Sequence, residues 1–278
     1  MKTTVAGVLM LLLLQMVAVL PAQGVEQKPY VFAVLPQRPP VVMHTNWRPF
    51  LDQLEQATGF KFKLKLYETM NQFEAELKQG VPDLAFSTPY QLMLVHGSQK
   101  YRPLVRGSHV LAGMLITRVD SPIKELPDLN NKQIAYVGSR NVCSLSLRQT
   151  LSQQNIMLNM KEVFVGSSSN VYKMVLLGKA DAGTVLNVDF DAQPEDVKAK
   201  LRVLLIAPKI APHPISAHPR VPKQVQQAVA DAVLQMAAKP ETSALLKPVQ
   251  LGKPVVADYA RDYKALEKMD YEAMTKGI

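Results

Sequence analysis

A single cysteine, Cys143, stands in a chain of 278 residues. One thiol cannot make an intramolecular disulfide framework, and cysteine-rich zinc or iron–sulfur sites need several thiolates, so both are excluded. The five histidines, His44, His96, His109, His213 and His218, lack the His-x-x-x-His spacing that sets two ligands on one helix face; no metal or cofactor is expected. Beyond residue 24 no apolar run approaches the ~20 residues that span a bilayer. Arg-rich runs interleaved with aromatics are also missing, which argues against a nucleic-acid partner for the positive charge.

What is present is ordinary globular composition: 47% hydrophobic and 20% charged residues, with 13 Gly and 20 Pro. That is enough apolar content and length for two modest lobes stabilised by core packing, and it excludes collagen-like, coiled-coil and wholly disordered chains. Residues 1–24 stand apart. Lys2, the apolar run Val8 to Leu14 with its extension Met16 to Leu20, and the small residues of Pro21-Ala22-Gln23-Gly24 read as a secretory signal peptide. The exported remainder, from about Val25, would carry a net charge of +8 against +9 for the whole chain, a balance that favours anionic partners in general.

From Tyr30 onward, short β-type runs alternate with amphipathic stretches. Tyr30 to Leu35 reads as a buried strand, and Asn46 to Thr58 as a helix capped by Asn46 and stopped by Gly59. Phe60 to Tyr67 sets Phe60, Phe62, Leu64 and Leu66 opposite lysines, the period-two alternation of a strand. Met70 to Gln79 is the next helix and Asp83 to Phe86 the next strand. Strands Gln133 to Val137, Lys161 to Val165 and Ala182 to Leu186, with helices Cys143 to Gln154 and Ser168 to Leu177, repeat this order. The pattern implies largely parallel α/β sheets. Gly80-Val81-Pro82-Asp83 and Gly178-Lys179-Ala180-Asp181 echo each other, each joining a helix-ending glycine to an aspartate before an apolar strand. Val110 to Arg118 and Arg202 to Ala207 would connect the lobes, so that lobe 1 comprises 25–113 and 207–278, and lobe 2 comprises 114–206. Ala207 to Lys223, with five prolines, must be mostly extended. Val221 to Ala238 and Asp258 to Met274 read as the closing helices.

On several of these stretches the chain resembles the phosphate/phosphite/phosphonate-binding family of periplasmic solute-binding proteins of ABC transporters. The resemblance is carried by Leu35-Pro36, Trp47-Arg48-Pro49-Phe50, Leu54 to Gly59, Gly80 to Pro89, Asp120-Ser121-Pro122-Ile123, Asp128 to Ala135, Phe164-Val165-Gly166-Ser167 and Gly178 to Gly183. It implies a two-lobed α/β clamp with a two-strand hinge, capture of a small oxyanion without chemistry, an ABC permease as partner, and a periplasmic monomer. A membrane histidine kinase reading a ligand-sensing protein is the alternative partner.

The family's anion loop falls on Asn141, Val142, Cys143 and Ser144, where most of its hydroxyls are replaced. Backbone N–H groups at a helix start, aided by Arg140, would still bind an oxyanion. The resemblance further places ligand contacts at Met70, Ser87, Thr88, Tyr90, Ser167 and Ser168, while Gln37 and Arg38 follow the first strand at the sheet edge where such folds bind ligands. For Arg38 a solvated surface role stands equally open. Cys143 at a helix N-terminus would have its thiol pKa lowered by the dipole, making it a ligand for a thiophilic oxyanion such as arsenite, or the nucleophile of a periplasmic enzyme. The alternative is a small buried residue in place of serine.

Overall fold

Two sheets hold all the strands of the computed structural model, which describes residues 28–275; the expected signal segment lies outside the described residues. The chain builds β1 (Tyr30–Val34), α1 (Pro40–Thr58), β2 (Phe62–Lys65), α2 (Met70–Lys78), β3 (Leu84–Phe86), α3 (Pro89–Gln99) and β4 (Arg102–Gly107). It then forms β5 (Gly113–Arg118), β6 (Gln133–Tyr136), α4 (Val142–Gln153), β7 (Lys161–Phe164), α5 (Ser168–Leu176), β8 (Ala182–Leu186), α6 (Asn187–Asp191), α7 (Glu195–Lys198) and β9 (Leu201–Ile206). It closes with β10 (Pro214–Ala217), α8 (Lys223–Ala238), α9 (Pro240–Ser243), β11 (Pro254–Val256), α10 (Tyr259–Asp262) and α11 (Tyr271–Thr275).

The six-stranded sheet of lobe 1 runs β11-β4-β10-β3-β1-β2, and the five-stranded sheet of lobe 2 runs β7-β6-β8-β5-β9. In lobe 1, β1 pairs in parallel with β2 and β3; in lobe 2, β6 pairs in parallel with β7 and β8. An antiparallel strand, β10 or β5, then continues each sheet. The repeated Gly-x-x-Asp turns create this likeness. Gly80 and Gly178 sit at φ +68° and +66°, a conformation that a Cβ would strain. Three residues on, Asp83 accepts the Val31 N–H at 2.8 Å, and Asp181 accepts the Gln133 N–H at 2.8 Å. Each aspartate thereby ties the start of its strand to the neighbouring parallel strand.

Lobe 1 is packed around Phe32, Trp47, Phe50, Phe73, Phe86 and Tyr101, all with at most 2% exposure. The lobes meet where Leu111 and Ile210 pair in an antiparallel bridge, each N–H donating to the other's carbonyl at 2.9 and 2.8 Å. Asn187 braces one of these crossing segments by accepting from the Ala112 N–H at 2.7 Å and donating to the Val110 carbonyl.

Three expectations need correction. The sheets are mixed and not largely parallel: four strand pairings are parallel and five antiparallel, because β10 and β5 enter each sheet against the direction of the βαβ units. The first helix begins at Pro40, not after Asn46: a proline at the first helical position loses no hydrogen bond, because that N–H has no partner within the helix, and its φ is already helical. The single closing helix from Asp258 is instead α10, a 3-10 turn over Lys264–Lys268 and α11. Asp258 caps α10 through the Arg261 N–H, and Met269 breaks the run in an extended conformation. No described helix is long and apolar enough to cross a membrane.

Asp83 also receives the Arg220 guanidinium at 2.6 Å. Asp83→Ala is expected to cost about 1–3 kcal/mol, since it leaves the Val31 N–H without this acceptor and strips Arg220 of its charge partner. Urea denaturation reads this directly, and an unchanged midpoint would contradict the role assigned to the turn.

Candidate functional site

The N-terminal ends of α2, α3 and α4 come together between the lobes, α2 and α3 from lobe 1 and α4 from lobe 2. Their starts are set by side-chain caps. Thr69 caps α2 through the Gln72 N–H. Thr88 and Gln91 form a reciprocal capping box on α3. Asn141 caps α4, its carboxamide oxygen accepting from the Cys143 N–H at 3.1 Å. Each helix directs the positive end of its dipole toward the join.

The charges there are specific. Arg140, just ahead of α4, donates to Asn71 at 2.8 Å and to the Glu74 carboxylate at 2.9 Å, an ion pair that spans the lobes. Glu74 is 6% exposed. Its other carboxylate oxygen accepts from Gln91 Nε2 at 3.0 Å and from the Tyr271 hydroxyl of α11 at 3.2 Å. Burial and the Glu74 charge both push the Tyr271 hydroxyl pKa upward, so it stays a donor. Tyr90, fully buried on α3, meets α4 through Ser146 at 3.3 Å and Gln149 at 3.4 Å, and its pKa is pushed up to about 12 by burial. Val142 and Leu145 of α4 belong to the same apolar cluster as the core of lobe 1. Arg148 of α4 reaches the Met274 carbonyl at 3.1 Å while its other nitrogen holds Glu162 with two bonds of 2.8 Å. The lobes are in contact along α4.

Of the residues singled out from the sequence, Met70, Ser87, Thr88, Tyr90, Asn141, Val142, Cys143 and Ser144 lie on the three converging helix starts. Met70 Sδ accepts from Gln91 at 3.2 Å. Ser87 is fully buried, and its hydroxyl has no hydrogen-bond partner among the described residues. The Thr88 hydroxyl is committed to its cap, and Ser144 donates to the Gly138 carbonyl at 2.7 Å within its own loop. Ser167 caps α5 through the Asn170 N–H, and Ser168 donates to Asp189 at 2.7 Å. Gln37 is engaged elsewhere, with His213 at 3.3 Å and with Gln250. Burial pushes the His213 imidazole down to about 3, which keeps it neutral and able to accept. Arg38 is exposed. No group of three or more His, Cys, Asp or Glu among the described residues could hold a metal.

Cys143 corrects the dipole argument. Its thiol is 1% exposed and donates to Asn141 Oδ1 at 2.8 Å, and desolvation pushes its pKa up to about 12. Burial outweighs the helix end, so the thiol is protonated at neutral pH and offers no thiolate to arsenite or to a substrate.

Three residues at the centre of the join had not been picked out as contacts: Asn71, Glu74 and Gln91. Glu74 carried a usable signal. It lies four residues after Met70 and three before Leu77, beside Phe73, so an acidic residue falls on the buried stripe of an amphipathic helix.

The geometry is that of two lobes whose polar helix starts face one another and touch. Residues 32–263 match the family model for the periplasmic substrate-binding protein of phosphonate ABC transporters, and the chain belongs to that family. No curated protein matches it by sequence. A Xanthomonas citri protein bound to ATP superposes with a TM-score of 0.75 at 19% identity, covering 87% of this chain and 96% of its own. PhnD1 of Prochlorococcus marinus, in complex with methylphosphonate, superposes with a TM-score of 0.73 at 11% identity, covering 89% and 99%. A binding protein component of an ABC phosphonate transporter from Pseudomonas aeruginosa gives 0.67 at 15% identity, covering 91% of each. These likenesses establish the α/β two-lobed fold. Family membership makes the chain a periplasmic substrate-binding component.

An exposed thiol titrates near about 8.5 and the folded one near about 12, so unfolding releases a proton between those values. The stability this thiol contributes is intact below the lower value and is lost as pH rises toward the upper one. A thiol reagent at about pH 8 should leave Cys143 untouched in the native protein and label it in urea. Rapid native labelling would contradict the burial.

Proposed function

We propose that the protein captures a small phosphorus oxyanion of the phosphonate, phosphite or phosphate kind between its lobes and presents it to the permease of an ABC transporter. The observation that carries this reading is the convergence of the α2, α3 and α4 N-termini, with Arg140, at one place between the two lobes. Helix starts attract anions through aligned dipoles and N–H groups, and a closed clamp strengthens that attraction by excluding water. The buried, unpartnered Ser87 hydroxyl supplies a further polar group beside the α3 start. The fold shared with a methylphosphonate complex agrees with a phosphorus ligand.

The protein acts by stoichiometric binding and not by catalysis. The side chain best placed to be a nucleophile, Cys143, is buried and protonated. Delivery to a permease follows from the family, which is a transporter component.

Thermal unfolding in the presence of methylphosphonate, phosphite, phosphate and sulfate tests the reading. A ligand at about a hundredfold its dissociation constant adds about 2.7 kcal/mol, which raises the melting temperature by about 5–10 °C for a protein of this size. A rise with at least one phosphorus oxyanion, retained in Cys143→Ser, is the expected result. No rise with any of them would overturn the assignment.

A further inference from the structure

We propose that the Glu74 carboxylate is a built-in anion that closes the clamp when no ligand is bound, so that an incoming oxyanion must displace it from Arg140. This rests on the reading of the cleft as an oxyanion site.

Glu74 belongs to lobe 1, yet it pairs with Arg140, an arginine that lobe 2 brings to the join, at 2.9 Å. Its carboxylate receives hydrogen bonds from three separate elements: Gln91 on α3, Tyr271 on α11 and Arg140 ahead of α4. That is the coordination expected of a bound anion, namely several donors converging on oxygens removed from water. A receptor without such a group could close empty only by leaving its part-buried cation unpaired beside three helix starts. Here the chain itself supplies the missing negative charge.

Further contacts join the lobes beside this pair. Tyr90 reaches Ser146, Arg148 reaches the Met274 carbonyl, and Val142 and Leu145 sit in the lobe 1 core. Glu74 is therefore an affinity-setting residue. It lowers the apparent affinity for every oxyanion by the factor with which it holds the clamp, and it favours ligands whose oxygens replace those of the carboxylate on Arg140.

Small-angle scattering and methylphosphonate titration of the wild type, Glu74→Gln and Arg140→Gln test the proposal. The wild type should be compact when ligand-free and change little with methylphosphonate. Glu74→Gln keeps the side chain's shape but removes its charge; it should be expanded when ligand-free, contract with methylphosphonate and bind it at least about tenfold more tightly. Arg140→Gln should also be expanded when free, without any gain in affinity, which separates loss of the pair from a folding defect in one variant. A ligand-free wild type as expanded as Glu74→Gln, or equal affinities in the two proteins, would overturn the latch. If the wild type is compact and Glu74→Gln expanded but neither binds any phosphorus oxyanion, the latch stands and the oxyanion reading falls.

Discussion

A carboxylate buried between two lobes sets the terms for the rest of this molecule. Glu74 is held by donors from three elements, and one of them, Arg140, comes from the opposite lobe. Removing Arg140 would leave the buried Glu74 carboxylate without its charge partner, which costs more than the pair contributes net. The orientation of α2, the docking of α11 through Tyr271 and the approach of α4 to lobe 1 are all coupled to that carboxylate.

Around it the architecture is simple and repeated. Each sheet uses a helix-ending glycine at positive φ and an aspartate three residues later to tie two parallel strands together. An antiparallel strand then follows in each sheet, and the chain crosses between sheets at the Leu111–Ile210 bridge. In a clamp of two halves joined by two extended segments, a few inter-lobe contacts bear on whether it stands open or closed. Those contacts cluster on α4, whose first turn is also the natural place for an anion. On the function proposed above, closure and ligand binding draw on the same residues.

Much of the fold was legible in the sequence because α/β periodicity is a local property. The alternation of Phe60 to Leu66, the apolar run of Ala182 to Leu186 and the paired Gly-x-x-Asp turns needed only neighbouring residues to be read. The first helix and the closing segment were misjudged where proline chemistry and tertiary packing overrode the pattern: Pro40 extends α1, and the chain after Asp258 breaks into short turns. The helix starts at Thr88 and Asn141, on which the candidate site is proposed, were legible, but the electrostatics around them were not. Cys143 at a helix N-terminus suggested an acidic thiol, whereas burial, invisible in a single sequence, reverses the shift. The partnership of Glu74 with Arg140 links residues 66 positions apart, and only the folded chain brings them together.

The central claim is that Glu74 and Arg140 act as one unit across the cleft. A double-mutant cycle on urea unfolding, with Glu74→Gln, Arg140→Gln and the double variant, measures that coupling directly. The account predicts that the double variant is less destabilised than the sum of the single variants, by about 0.5–3 kcal/mol. Strict additivity would mean that the two charges do not sense each other in solution, and would contradict it.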